Sequence, residues 1–231
     1  MTLDYLAGKS IFISRKLKAE SPFIRSAKEG KIVLVDEPLI RIDEIRFSYT
    51  PKTDWIFFSS KNAIKHFFSQ KPELCHGVKL GVMSTVSAEY LSQFEKTADF
   101  IGTGVDLNVI AKEFKSIIKD ESVLFPQAID SLKTIQKHLS FINTCFNLFV
   151  YKTNIRTDFV IPHCDILIFT SPSNVQAYLN KYKIEKDQTV IAIGTSTKTK
   201  LAEYQVEKVL LPNEFSEKGL FDVLFKAEYV N

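Results

Sequence analysis

The sequence is short of almost everything that marks a specialised class of protein. It holds three cysteines, Cys75, Cys145 and Cys164, an odd number with no C-x-x-C spacing, so it carries neither a disulfide framework nor a thiolate zinc site. Its four histidines, His66, His76, His138 and His163, are scattered, and the adjacent pair His163 and Cys164 has no further ligands at metal-binding spacing. No metal is expected. No apolar run reaches membrane length, and the stretch from Met1 to Gly8 has an early Asp4 and no long apolar core, so neither a membrane span nor a secretory leader is expected. A reducing cytoplasm is the default. Runs of like charge are missing too: 30 Lys and Arg against 27 Asp and Glu leave a net charge of +3 spread along the chain, which argues against a nucleic-acid stripe. Glycine-rich phosphate loops are absent, since Gly102, Thr103 and Gly104 lack a third glycine and no G-x-x-x-x-G-K-[ST] occurs.

What is present is apolar mass. With 231 residues, 45% of them apolar, the chain has room for one large or two small domains with well-filled cores. Nineteen Phe against one Trp and two Met make the interior aromatic-rich, and the Phe residues sit inside apolar runs such as Ile56 to Phe58, where they pack.

Periodicity and punctuation divide the chain into alternating strands and helices. Strands are expected at Ser10 to Ser14, Lys31 to Val35, Trp55 to Phe58, Lys79 to Met83, Asp99 to Ile101, Val123 to Phe125, Phe146 to Tyr151, Ile166 to Phe169, Val190 to Ile193 and Lys208 to Leu211. Helices are expected from Pro22 through Ala27, over a short stretch from Ile45 to Tyr49, from the turn Ser59 to Asn62 through Phe68, from Ala88 to Phe94, across Val109 to Ile118, from about Ser131 to Leu139, from Val175 to Tyr182, through Tyr204, and from Ser216 to about Phe225. Leu39 to Ile42 alternates apolar and charged residues and reads as an extended connector. Strands alternating with helices argue for an α/β protein whose parallel sheets are covered by helices on both faces.

The pattern is also duplicated. Asp165 opens a run of four apolar residues that leads straight into Thr170, Ser171, Pro172, Ser173 and Asn174; Asp54 opens a matching run into Ser59, Ser60, Lys61 and Asn62, 111 positions earlier. Ile11 matches Val123 at 112, Leu91 matches Leu201 at 110, and Phe114 matches Phe225 at 111. Each repeat delivers hydroxyl-rich turns to helix starts, at Ser59 to Asn62, Ser84 to Ser87, Thr170 to Asn174 and Gly194 to Thr197. In open parallel sheets ligands bind beyond the carboxyl ends of the strands, and the first backbone N–H groups of a helix attract anions without any Lys or Arg. Any one such Ser or Thr is more often a plain N-cap, but four turns of one kind point to a polyanion.

Several segments together resemble the uroporphyrinogen-III synthase family: Ile11 to Arg15, Val150 to Thr153, Ile168 to Pro172, Ile191 to Thr197, and Leu211 and Pro212 followed by Gly219 and Leu220. They span nearly the whole chain in the family's order. The sequence departs from the family at Pro126, Gln127 and Ala128, where many members carry Arg or Gly, and at Ser84, where the matching turn has Gly194.

Duplication alone would cut the chain near Asp120. The resemblance implies another division: residues 1–37 with 156–231 as one α/β domain, 43–149 as the other, and 38–42 with 150–155 as paired connectors between them, with a cleft between facing strand ends. It implies conversion of hydroxymethylbilane to uroporphyrinogen III, with loss of water and inversion of the last pyrrole ring, by a carbon-oxygen hydro-lyase that uses no cofactor. Tyr151 would be the acid that protonates the departing hydroxyl, and Arg15, Ser60, Lys61, Asn62, Ser171, Ser173, Thr195, Ser196 and Thr197 would bind the substrate's carboxylates. A cytoplasmic monomer with transient contact to the preceding pathway enzyme is expected, with no nucleic-acid or membrane partner. The rival reading is a non-catalytic two-domain α/β module that binds a small polyanion.

Overall fold

The computed structural model describes residues 6–103, 106–139 and 144–224. In chain order its elements are β1 (Lys9–Ile13), α1 (Pro22–Lys28), β2 (Ile32–Asp36), β3 (Ile40–Glu44), β4 (Trp55–Phe58), α2 (Lys61–Phe68), β5 (Lys79–Val82), α3 (Thr85–Ser92), β6 (Phe100–Ile101) and α4 (Leu107–Ile117). They continue with β7 (Val123–Ala128), α5 (Thr134–Leu139), β8 (Cys145–Ile155), β9 (Ile166–Phe169), α6 (Pro172–Leu179), β10 (Thr189–Ala192), α7 (Thr195–Glu203), β11 (Val209–Leu210) and α8 (Glu217–Val223). Asp4, Gly104 and Phe225 lie outside the described residues. Among the described residues no helix is long and apolar enough to cross a membrane.

The chain forms two compact units, Met1–Arg41 with Asn154–Asn231, and Ile42–Thr153, so Asp120 falls inside the second. The first holds a sheet in the order β11-β10-β9-β1-β2; the second holds β8-β7-β4-β5-β6, with β3 added beside β8. The chain passes between the units within β3 and β8. The pairs β1–β2, β1–β9, β9–β10, β10–β11, β4–β5, β4–β7, β5–β6 and β7–β8 are all parallel.

Parallel strands covered on both faces must be apolar on both faces. In β4, Ile56 and Phe58 enter one cluster with Ile64, Phe67 and Leu124, while Trp55 and Phe57 enter another with Ile110, Phe114 and Phe125. β9 does the same: Leu167 and Phe169 pack with Phe12 and Tyr178, and Ile166 and Ile168 pack with Ile11, Phe23 and Leu220. Phe12, Phe57, Phe58, Phe67, Phe114 and Phe169 are completely buried. Each such ring contributes about 1.5–3 kcal/mol relative to exposure. The Phe-rich composition is thus spent on two-sided cores.

Two expectations are corrected by the structure. Ile45 to Tyr49 is not helical. The side-chain amide of Gln70 accepts from Phe47 N–H at 3.2 Å and donates to the Ile45 carbonyl at 3.0 Å, so tertiary bonds take the backbone groups a helical turn would have used. β7 runs on through Pro126, Gln127 and Ala128 rather than stopping at Phe125. Gln127 is buried there; its amide donates to Asn147 Oδ1 at 2.6 Å and accepts from Gln136 Nε2 at 2.7 Å. A register shift between Gln127 and Ala128 then pairs Ala128 with Tyr151. The stretch 150–155 is extended, as a continuation of β8, which runs unbroken from Cys145 to Ile155.

Both units share a clasp at the amino edge of the sheet. The Asp165 carboxylate accepts from Ser10 N–H at 2.7 Å and Ser10 O–H at 2.6 Å, and Asp54 accepts from Ser122 N–H at 2.8 Å and Ser122 O–H at 2.7 Å. These bonds, Ser10 O–H foremost, hold the pKa of Asp165 down to about 2. Backbone and side-chain bonds from Ser122 lower Asp54 in the same way.

Because the folded carboxyl of Asp165 titrates below its unfolded value of about 3.9, its contribution is complete above that value and is lost as pH falls towards 2. With its side chain 37% exposed, solvent screening reduces the contribution to about 1 kcal/mol. Asp165→Asn is therefore expected to lower the urea midpoint at pH 7, with the difference from the parent chain shrinking as pH falls through about 2. Two glycines separate in a second prediction. A Cβ on Gly219 would lie 2.1 Å from the Glu214 carbonyl oxygen, whereas one on Gly194 would meet only Phe215, at ordinary contact of 3.7 Å. Gly219→Ala is expected to cost more than about 2 kcal/mol in thermal unfolding, while Gly194→Ser, which supplies the missing hydroxyl cap of α7, is expected to be neutral or to stabilise by roughly a few tenths of a kcal/mol.

Candidate functional site

Every parallel strand in each unit runs toward the same sheet edge, and there the hydroxyl turns open the next helix. In the unit Ile42–Thr153, β4 ends at Phe58 and Ser60 takes an extended conformation as N-cap of α2, its Oγ accepting from Ala63 N–H at 3.1 Å. The Tyr151 hydroxyl lies 3.2 Å from the same Oγ. Ala63 N–H takes one lone pair of the Ser60 Oγ, and either hydroxyl of the pair can donate to the other; when Ser60 donates to the phenol oxygen, the phenol proton is free to point outward.

Tyr151 is 8% exposed. Burial is the main cause that raises its pKa above the usual phenol value; the Asp130 charge adds to the rise, and the Ser60 bond opposes it. The outcome is a phenol that holds its proton firmly, which is the state a proton donor needs. Against its ring stands His66, with centroids 5.7 Å apart and planes inclined by 32°. Lys61 is exposed and Asn62 half-buried at the start of α2. One strand further, Ser84 caps α3 by accepting from Ser87 N–H at 3.3 Å.

The other unit repeats the arrangement with different detail. Ser171 caps α6, and its Oγ accepts from both Asn174 N–H at 3.2 Å and Asn174 Nδ2 at 2.9 Å, so its own proton remains as a donor. Asn174 is buried, and its Oδ1 accepts from Leu39 N–H at 3.2 Å, which ties α6 to the chain just before β3. Ser14 Oγ accepts from Thr170 N–H at 2.9 Å, lacing the ends of β1 and β9. Ser173 is half-buried; Thr195 and Ser196 are exposed at the start of α7. Thr197 departs from them: at 1% exposure its side chain faces the interior, because the third helical position turns toward the sheet, and it offers no surface donor. Arg15 follows β1 directly, with Nη2 3.3 Å from Glu217 Oε2 and a buried Nε that makes no hydrogen bond. Its charge is thus shared with an acid at the start of α8.

Ser60, Tyr151, Lys61 and Asn62 meet in one unit, and Arg15, Ser171, Ser173, Thr195 and Ser196 lie on the corresponding edge of the other. Ser14, Asn174 and His66 were missed as members of these sites. His66 was within reach of the sequence, because it stands three residues from Ala63 on the apolar stripe of α2, a costly place for an imidazole. The bonds of Asn174 to Leu39 and of Ser14 to Thr170 join residues 135 and 156 positions apart, and no local pattern announces them.

A family model described as uroporphyrinogen-III synthase HemD matches residues 24–222. Among solved structures, the chain is similar to uroporphyrinogen-III synthetase from Helicobacter pylori 26695, with TM-score 0.72 and 17% identity over 95% of this chain and 99% of that one. It is also similar to a mutant uroporphyrinogen III synthase from the extremely thermophilic bacterium Thermus thermophilus, with TM-score 0.64 and 11% identity over 96% of this chain and 99% of that one. No curated protein matches it by sequence. At these identities the structures show the shared fold, and the family model, which spans most of the chain, shows the kinship: the chain belongs to the uroporphyrinogen-III synthase family.

Proposed function

We propose that this chain cyclises hydroxymethylbilane to uroporphyrinogen III, as its family does, with Tyr151 as the acid that starts the reaction. The observation that carries the reading is the Tyr151–Ser60 pair, a buried, firmly protonated phenol whose oxygen meets a helix-capping serine at 3.2 Å. The phenol proton passes to the terminal hydroxymethyl oxygen, water leaves with the carbon-oxygen bonding pair, and an electron-poor azafulvenium cation forms. The substituted carbon of the last ring then attacks it, the resulting spiro intermediate fragments and recloses with that ring turned over, and the proton released as the ring regains aromaticity returns to the phenolate. The Ser60 O–H, directed at the phenol oxygen, stabilises the negative charge that develops as the proton departs.

Most of the task is conformational. The substrate is a flexible polycarboxylate that closes unassisted to the wrong isomer, so the protein must hold the correct carbon in reach. Ser171, Ser173, Thr195 and Ser196, with the first N–H groups of α6 and α7, and Asn62 and Lys61 at the start of α2 support a reading in which acetate and propionate groups are bound without a glycine-rich loop. Arg15, whose guanidinium is partly exposed and shares Nη2 with Glu217, is suited to take one further carboxylate through its exposed N–H groups. In this reading the chain works as a cytoplasmic monomer without a cofactor, and it meets the enzyme that supplies its substrate only transiently.

With freshly generated hydroxymethylbilane the purified chain is expected to yield the type III isomer; type I alone, the product of unassisted closure, would leave a polyanion-binding module as the correct reading. Tyr151→Phe is expected to lower kcat on the order of 10²-fold with product affinity little changed, and unchanged turnover would remove Tyr151 from the role of acid. Since the Tyr151 phenol is raised above its ordinary value of about 10, the acid is fully present below that value and is lost only at higher pH, as its raised pKa is passed. The pH profile of kcat is expected to show no alkaline limb from this group below pH about 10.

A further inference from the structure

Tyr151 meets α2 at two points. Its hydroxyl meets Ser60, the residue that caps the helix, and its ring meets His66, within the body of the same helix. The separation of 5.7 Å and tilt of 32° fall within the range of productive offset ring pairs. Core filling alone does not account for a histidine here. The neighbouring inward positions of α2 are Ala63, Ile64, Phe67 and Phe68, and a phenylalanine would fill this one without burying a polar atom. Yet His66 is 8% exposed, and its Nδ1 is buried without a hydrogen bond; the Glu44 carboxylate stands 3.5 Å away, itself held by Ser69 O–H at 2.9 Å. From its other side, Gln70 Nε2 donates to the His66 carbonyl at 2.9 Å and to the Ile45 carbonyl at 3.0 Å, fixing the last turn of α2 against the chain that follows β3.

We propose that His66 is a positioning residue for Tyr151: drawn toward Glu44, its imidazole fixes the plane of the phenol ring so that the hydroxyl stays on Ser60 and aims its proton outward. The inference rests on the reading of Tyr151 as the acid. The torsion that turns a tyrosine ring is soft, with two broad wells, so a hydroxyl at the end of the ring is placed accurately only when the ring face is also held. Ser60 alone constrains the oxygen to a sphere about itself. Ser60 and His66 together constrain oxygen and plane, and both belong to one helix, so they move as a unit. Glu44 completes the arrangement from β3, the strand adjacent to β8.

The test is a cycle of variants read by steady-state kinetics on hydroxymethylbilane, with folding checked by thermal unfolding. His66→Phe keeps the ring and loses Nδ1; Glu44→Gln, at a half-exposed site, keeps the Ser69 partner and loses the charge. In the parent chain, His66→Phe is expected to lower kcat about 10-fold with KM unchanged, and Glu44→Gln to lower it less, in the same sense. In a Tyr151→Phe background neither substitution is expected to lower kcat further, because the hydroxyl they aim is gone. Equal fold-losses in both backgrounds, or a parental kcat in both single variants, would overturn the role of His66 while leaving Tyr151 as the acid. If His66→Phe fails to fold, the Glu44→Gln arm of the cycle decides by the same criterion. Parental turnover in Tyr151→Phe alone would overturn the acid reading and the role of His66 with it.

Discussion

A parallel sheet sends every strand out of the same edge, and every strand must then turn into a helix whose first N–H groups have no partner within it. The rest of this molecule follows from that constraint. The turns have to carry short polar side chains to cap α2, α3 and α6, and Ser60, Ser84 and Ser171 do so. The caps gather hydroxyls and oriented amides on one edge of each sheet, an environment that favours carboxylates with little net positive charge. At the opposite edge the same geometry leaves strand starts to be tied, and Asp54 with Ser122 and Asp165 with Ser10 tie them. The ties and the hydroxyl turns are therefore kept at opposite ends of the strands.

The duplication explains why the two edges resemble each other, and the connectivity explains why the resemblance is not obvious along the chain. The orders β6-β5-β4-β7-β8 and β11-β10-β9-β1-β2 correspond position by position, but in one unit the chain visits them in a single pass and in the other it supplies β1 and β2 first and β9 to β11 last. The repeats differ at the hydroxyl turns. Ala63 stands where Asn174 stands 111 positions later, so Ser171 Oγ accepts from an asparagine side chain as well as from its backbone N–H, while Ser60 Oγ meets the Tyr151 hydroxyl.

The parts of this architecture that the sequence made legible are those written in local pattern. The apolar runs Ile56 to Phe58 and Ile166 to Phe169 announced buried strands, and the serines after them announced helix starts. The resemblance to the family led to Tyr151 as a candidate, and the two compact units, Met1–Arg41 with Asn154–Asn231 and Ile42–Thr153, do not meet near Asp120, where the duplication alone would have divided the chain. What stayed hidden depends on partners far away in the chain. Ile45 to Tyr49 has helical spacing yet forms no helix because Gln70 binds its backbone, and Gln127 reads as a strand-ending polar residue yet is buried because Gln136 and Asn147 satisfy its amide. Thr197 looked the same as Thr195 until helix phase turned one inward and the other out.

The place of β1 in its sheet bears on how the protein is made. β1 pairs with β9 through Ile11 and Ile166, and the clasp between Ser10 and Asp165 closes a loop of 155 residues. During synthesis, β1 and β2 emerge first and have no central neighbour until β9 leaves the ribosome. The strands β4 to β8 emerge one after another and find their neighbours at once. The unit that begins the chain is thus the last that can be completed, and the apolar faces of Ile11, Phe12 and Ile13 wait through the assembly of the other unit before they are covered.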